Sequence, residues 1–203
     1  MKTKCQKQKP TRCTFSLLRQ ICNFIPNHLV PQLARETGVE DDARTYTPWS
    51  QVLTLLFAQL THSLGLNDVC DALALHSSPF SAIRGATAPK RNTLSYANRK
   101  RDPRMAEKLF WRTLEHLQNL CPGFGRGRRP RFAFRFKRMI HWVDSTTLQL
   151  VANCMDWAEH RRRKAAAKCH LRLNLQSFLP RSALVDSARH SDAKQASGLW
   201  QKL

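Results

Sequence analysis

The sequence predicts an α+β chain: an all-α N-terminal part followed by the front half of a mixed α/β domain. Three observations predict this. Apolar residues recur at helical spacing from Thr14 to Cys121. The stretch "CPGFGRGRRPR" then places two prolines, three glycines and a charge run together, which is the composition of a linker. Beyond it the period falls to two, with Phe132, Phe134 and Phe136 alternating with Ala133, Arg135 and Lys137. The predicted parts are a basic tail over 1–13, a helical domain over 14–121, a linker over 122–130 and the α/β part over 131–203.

Each element has its own signal. "TFSLLRQICNFIP" and "NHLVPQLARE" read as two short helices, the first stopped near Pro26. "TPWSQVLTLLFAQLTHSLG" carries a helical stripe of Trp49, Val52, Leu53, Leu56 and Leu60, with Gly65 as its expected stop. "NDVCDALALH" follows, with Asn67 as expected N-cap, then a short helical turn in "SPFSAIRG". "RNTLSYANRKR" opens on Asn92 as expected cap, and "PRMAEKLFWRTLEHLQNL" runs from Pro103 to Pro122. That makes roughly six helices. The strands follow in "RFAFRFKRMIHWVDSTTLQL", "KCHLRLNLQ" and "RSALVDS". In the second, His170, Arg172 and Asn174 share one face and Leu171, Leu173 and Leu175 the other. "SDAKQASGLWQKL" reads as a closing helix, and no later strand follows to receive it.

Charge narrows the partners. The chain holds 34 Lys+Arg against 14 Asp+Glu, a formal charge of +20. Such a balance fits a polyanion, because each neutralised phosphate releases counterions. With 42% hydrophobic residues the chain still has material for real cores. Seven scattered cysteines (Cys5, Cys13, Cys22, Cys70, Cys121, Cys154, Cys169) contain no Cys-x-x-Cys pair, which argues against a zinc finger or a disulfide scaffold. The basic N-terminus lacks the apolar stretch of a signal peptide, and "WSQVLTLLFAQL" is too short and too polar to span a bilayer. A cytosolic, reduced protein is expected.

The positive charge is clustered. Besides the tail, Lys90, Arg91, Arg99, Lys100, Arg101 and Arg104 lie on or beside the helix that begins near Asn92. Arg126, Arg128, Arg129, Arg131, Arg135, Lys137 and Arg138 occupy the linker and first strand, and Arg161, Arg162, Arg163 and Lys164 form a fourth group. The 92–101 helix follows another helix, an order compatible with a helix-turn-helix, although the connector is long for that motif. Asn92, Ser95, Tyr96 and Asn98 would then meet base edges while Arg and Lys take phosphates. A solvated basic face is the plainer alternative.

One acid stands out in "HWVDSTTL", where Asp144 ends an apolar run and precedes three hydroxyl residues. From the residues alone it is a turn cap, a salt-bridge partner or a metal ligand. A resemblance bears on that choice. "DSTTLQLVANCMDWAEHRRRKAAAKCHLRLNLQSFLPRSALVDSARHSDAKQA" resembles the start of the catalytic domain of bacterial insertion-sequence transposases, in the DDE group typified by insertion sequence four. "FSLLRQICNFIP", "WSQVLTLLFAQLTHSLGLNDVCDAL" and "RNTLSYANRKRDPR" resemble the helical domain that accompanies it. The likeness runs from about Phe15 to Ala196.

The resemblance implies a ribonuclease H-like fold with Asp144 as the first catalytic carboxylate and Mg²⁺ ligand. Ser145 and Thr146, with Thr147 beside them, would support it through ligand waters. It implies DNA as partner, both the element's terminal inverted repeats and target DNA. Self-association, or association with a full-length transposase, and a nucleoid location in a bacterial cytoplasm are also implied. The family's second aspartate (Asp-x-x-Tyr) and its Tyr/Arg/Glu pattern have no counterpart in these 203 residues. The expectation is therefore a C-terminally truncated, catalytically incomplete transposase with weak or no Mg²⁺ binding of its own. A DNA-binding protein that occupies element ends and represses transposition is the alternative. Asp156, Glu159, Asp186 and Asp192 are not expected to replace the missing carboxylates.

Overall fold

The computed structural model describes residues 14–39, 45–63, 65–121, 123–125, 140–150, 159–160 and 164–187. They fall into two compact units that divide between Asn119 and Leu120. The first is helical and the second is a sheet, which is the α+β division read from the sequence. Among the described residues no helix is long and apolar enough to cross a membrane.

Among the described residues, seven helices form the first unit: α1 (Thr14–Asn23), α2 (Leu29–Glu36), α3 (Pro48–Thr61), α4 (Leu66–Leu75), α5 (Ser77–Ser81), α6 (Arg91–Lys100) and α7 (Arg104–Leu120). α3 is the hub. Its side chains enter two apolar clusters, and Trp49 and Leu56 touch both. Leu18, Leu53, Phe57, Leu73, Phe80 and Leu94 build the cluster shared by α1, α3, α4, α5 and α6. Val30, Leu33, Val52, Met105 and Leu109 build the one shared by α2, α3 and the start of α7.

Several helix ends differ from the expected caps, each for a local reason. α3 opens as its sequence suggests, with Pro48 in the first turn and the Thr47 hydroxyl accepting the Ser50 N–H at 3.1 Å. It stops at His62, which takes a left-handed φ of 52°, and not at Gly65. Gly65 instead caps α4, its N–H donating to Asp68 Oδ2 at 3.2 Å, so Asn67 lies inside the first turn. In α6 the capping position belongs to Lys90, which offers no side-chain acceptor, and Asn92 is likewise one turn position too deep. Asp102 performs the corresponding work for α7: Oδ1 accepts the Arg104 N–H and Oδ2 its guanidinium, both at 2.8 Å.

The second unit is an antiparallel sheet of β1 (His141–Leu150), β2 (Glu159–His160), β3 (Lys164–Asn174) and β4 (Pro180–Ser187). β3 is central, with β1 on one side and β4 and the short β2 on the other. The β3–β4 turn is fixed by Asn174, whose Oδ1 accepts the N–H groups of Gln176 (2.7 Å) and Ser177 (3.1 Å). Gly125 packs against this turn at φ +77°. That left-handed φ favours glycine, and a Cβ there would also have to displace the Leu179 side chain, whose Cδ1 would stand 2.5 Å away. The period-two stretch Phe132–Phe136, the basic tail and the closing helix expected from Ser191 lie outside the described residues.

The register separates the two faces of β3 as its alternation predicts. Arg172 pairs with Val143 and Ser182, and His170 with Ser145 and Leu184, on one face; Leu171 pairs with Asp144 and Ala183 on the other. Burial runs against hydropathy. His170, Arg172, Asn174 and Ser182 are buried, while Trp142 and Val185 are 52% and 55% exposed.

Candidate nucleic-acid interface and acidic site

α6 is held to the helical unit by one narrow face. Leu94 and Ala97 are buried, whereas Arg91, Asn92, Ser95, Tyr96, Arg99 and Lys100 all face solvent. The spacing of three residues between Leu94 and Ala97 leaves most of the helix circumference outward. Polar bonds fix its C-terminal end: Gln51 Nε2 on α3 donates to Asn98 Oδ1 at 2.9 Å. Arg101 Nη1 donates to Gln51 Oε1 at 2.9 Å and to Thr47 O at 3.4 Å, and Nη2 donates to Tyr46 O. The Arg101 guanidinium also lies 5.3 Å from the Tyr46 ring centre.

These bonds divide the predicted basic residues. Arg101 serves as a strut between α6 and the start of α3, and burial draws its pKa down. Elsewhere on the unit, three cations are matched by acids: Arg104 with Asp102 at 2.6 Å, Lys108 with Glu36 at 3.3 Å and Arg112 with Glu115 at 3.5 Å. A bond from Arg104 holds the Asp102 carboxyl below its usual range, and bonds from Gln32 and Lys108 do the same for Glu36. Arg91, Arg99 and Lys100 have no such acid partner among the described residues. Among the described residues, α6 therefore gathers three exposed cations on one helix without a matching acid. Arg99 and Lys100 also occupy the last helical turn, where cations suit the dipole.

The arrangement is not a compact helix-turn-helix. α5 and an extended segment separate α4 from α6, so α6 is placed by its packing within the unit and not by a short turn. Nor does the helical unit carry much of the chain's charge. Residues 14–119 hold 12 Lys+Arg against 9 Asp+Glu, while residues 120–203 hold 17 against 5 and the tail 5 against none. Lys164 opens β3; Arg128, Arg129, Arg161, Arg162 and Arg163 lie outside the described residues.

Asp144 lies in the first half of β1 with its side chain exposed, and Oδ1 accepts the Ser145 N–H at 2.9 Å. That leaves Oδ2 for other partners. Thr146 shares its face of the sheet, and Ser145 points to the opposite one. Asp186 pairs with Lys168, which pairs with Thr147, so it too lies on the face opposite Asp144. The two aspartates cannot bind one ion together. Among the described residues there is no cluster of three or more acidic, His or Cys side chains that would hold a metal. Among the described residues, Asp144 offers one carboxylate of the kind that hard divalent ions bind. Glu159 is on β2, and Asp156 and Asp192 lie outside the described residues.

Residues 14–79, from α1 into α5, match a domain of unknown function (DUF4372) that is found in transposase-like proteins. No curated protein and no solved structure matches the chain.

Proposed function

We propose that this chain is a DNA-binding protein of the insertion-sequence transposase type, in the DDE group typified by insertion sequence four. In this reading the helical unit meets DNA through α6, with the basic segments on either side of β1 supplying most of the non-specific affinity. The sheet is the opening of a ribonuclease H-like catalytic domain. The observation that carries the reading is Asp144: an exposed carboxylate on the first described strand of an antiparallel β1–β3–β4 arrangement, downstream of a domain found in transposase-like proteins. Bound Mg²⁺ would supply Lewis-acid activation for phosphoryl transfer. Asp144 would present one carboxylate oxygen to it, with Thr146 on the same face available to a ligand water.

A second reading has its own observation. Because Asp186 faces away from Asp144, the described sheet offers a single carboxylate at that point. A DNA-binding role without catalysis, occupying element ends and repressing transposition, follows from that. One assay separates the two. Duplexes carrying the element's terminal repeats are incubated with the chain in Mg²⁺ or Mn²⁺, and both binding and nicking are scored. Nicking that Asp144→Ala abolishes makes the chain a catalyst. Tight, repeat-selective binding with no nicking makes it a repressor. Binding that ignores salt concentration would sink both, since each rests on phosphate neutralisation.

A further inference from the structure

At about 100° per residue, the side chains of α6 divide into sectors around the helix axis. Leu94 and Ala97 are buried and mark the sector that packs on the helical unit. Asn92 and Arg99 are exposed, lie within about 20° of each other and point directly away from the buried pair. Exposed Ser95 and Tyr96 stand on either side of them. Arg91 and Lys100 are exposed too, each about 90° from that outward line and on opposite flanks. Asn98 does not belong to the outward face. It lies about 110° from the outward line, and its Oδ1 accepts from Gln51 Nε2 at 2.9 Å, which ties the amide to α3.

We infer that α6 reads duplex DNA from the major groove, with Asn92 and Arg99 on base edges and Arg91 and Lys100 on the phosphates of the two groove walls. The inference rests on the DNA-binding reading above and gives it a sequence class. A helix with its side chains is about 10–12 Å across and the B-form major groove about 12 Å wide, so a cation on each flank meets a different strand. Between them, an asparagine amide matches adenine N6 and N7, and a guanidinium matches guanine O6 and N7, each by two hydrogen bonds. The small Ser95 side chain beside them lets the helix approach the groove floor.

The spacing sets the sequence. From Asn92 to Arg99 the helix advances about 10.5 Å, or about three base pairs at about 3.4 Å each. With α6 lying along the groove, the preferred site holds an adenine and a guanine about three base pairs apart. On a duplex without that guanine, Arg99 takes a phosphate like its two neighbours. The major groove of an A-form RNA duplex is deep, narrow and closed to side chains, so the arrangement selects DNA.

The test lets the full chain, freed of nucleic acid, select duplexes from a randomised pool. The recovered sequence and a scrambled one are then titrated by anisotropy at several salt concentrations. Asn92→Ala should lose the adenine preference and Arg99→Ala the guanine preference, each lowering the selected-to-scrambled affinity ratio roughly 5- to 150-fold. Arg91→Ala and Lys100→Ala should weaken both duplexes alike, leaving the ratio unchanged and making the salt slope shallower by about 0.9 each. Asn98→Ala should leave the selected sequence as it was. These positions are all exposed, and far-UV circular dichroism verifies that each variant stays folded. Salt-dependent binding with no recoverable preference overturns the inference and leaves the DNA-binding reading standing. So does a preference that survives both Asn92→Ala and Arg99→Ala, or an RNA duplex bound as tightly as the selected DNA. A chain that binds no duplex at all overturns both.

Discussion

Arg84 joins parts of the helical unit that lie sixty residues apart. Its Nη2 donates to Cys22 O at 2.7 Å and Ile25 O at 2.8 Å, carbonyls at and just beyond the end of α1. The same guanidinium lies 4.7 Å from the Trp49 ring centre, and Trp49 Nε1 donates to Ile83 O at 3.1 Å. Arg84 holds a left-handed φ of 55° to do this, beside Gly85 at 68°. Arg84→Ala should cost about 2–3 kcal/mol in urea unfolding, the scale of charge-assisted bonds removed from part-buried acceptors. Arg84→Lys should recover only part of this, because an ammonium could bond the two carbonyls that one Nη2 serves but lacks the planar guanidinium that meets the indole ring. Cys22 gives the matching pH prediction. Burial pushes its thiol from 9.0 up to about 11, an effect that nearby Arg84 partly offsets. A raised folded pKa means full stability below about pH 9, lost as pH climbs through 11; Tyr46, pushed to about 12 chiefly by burial, extends the loss. Melting temperatures should therefore fall between pH 9 and 11, and Cys22→Ala should flatten that decline.

At the scale of elements, α6 makes the sharpest claim. Replacing Arg91, Arg99 and Lys100 with alanine should reduce the slope of log affinity against log salt by about 2–3, near ~0.9 for each phosphate no longer neutralised. Arg101→Ala should act differently, lowering the melting temperature by removing the bonds to Tyr46, Thr47 and Gln51 while leaving the slope nearly unchanged. Anisotropy titrations at several salt concentrations distinguish these outcomes. An unchanged slope in the triple variant would remove α6 from the interface. The contrast shows what the sequence could reveal. Helical spacing located the helices, because a buried stripe repeats within one element. It could not tell Arg101 from Arg99, since the difference lies in Tyr46 and Gln51, some fifty residues away. Cap positions slipped by a residue or two for a similar reason. Asn67 and Asn92 are good capping residues, but Gly65 and Lys90 occupy the caps, where the chain enters from an extended conformation. Alternation located β3 and β4 and separated their faces, yet hydropathy misjudged burial on β3. His170 and Arg172 are inside, and no local pattern signals that.

For the whole molecule, charge and fold are distributed to different places. The helical unit has its own two apolar clusters, a nearly balanced set of charges and matched ion pairs on α7. The excess positive charge belongs to the tail and to residues 120–203. In the proposed DNA-binding role, such a distribution would separate placement from attraction: the helical unit would orient α6, and the basic segments beyond it would supply the pull toward phosphate. Fragment 14–121 should accordingly fold alone, melting cooperatively with helical circular dichroism. It should bind duplex DNA weakly, with a salt slope of about −3 where the three α6 cations alone neutralise phosphates. The full chain should show at least about twice that slope, because its additional cations engage more phosphates. Equal slopes would mean that the segments richest in Arg and Lys do not touch DNA and that α6 alone carries the contact. A fragment that fails to fold would mean that the two clusters around α3 need the sheet unit, contrary to the division at Asn119.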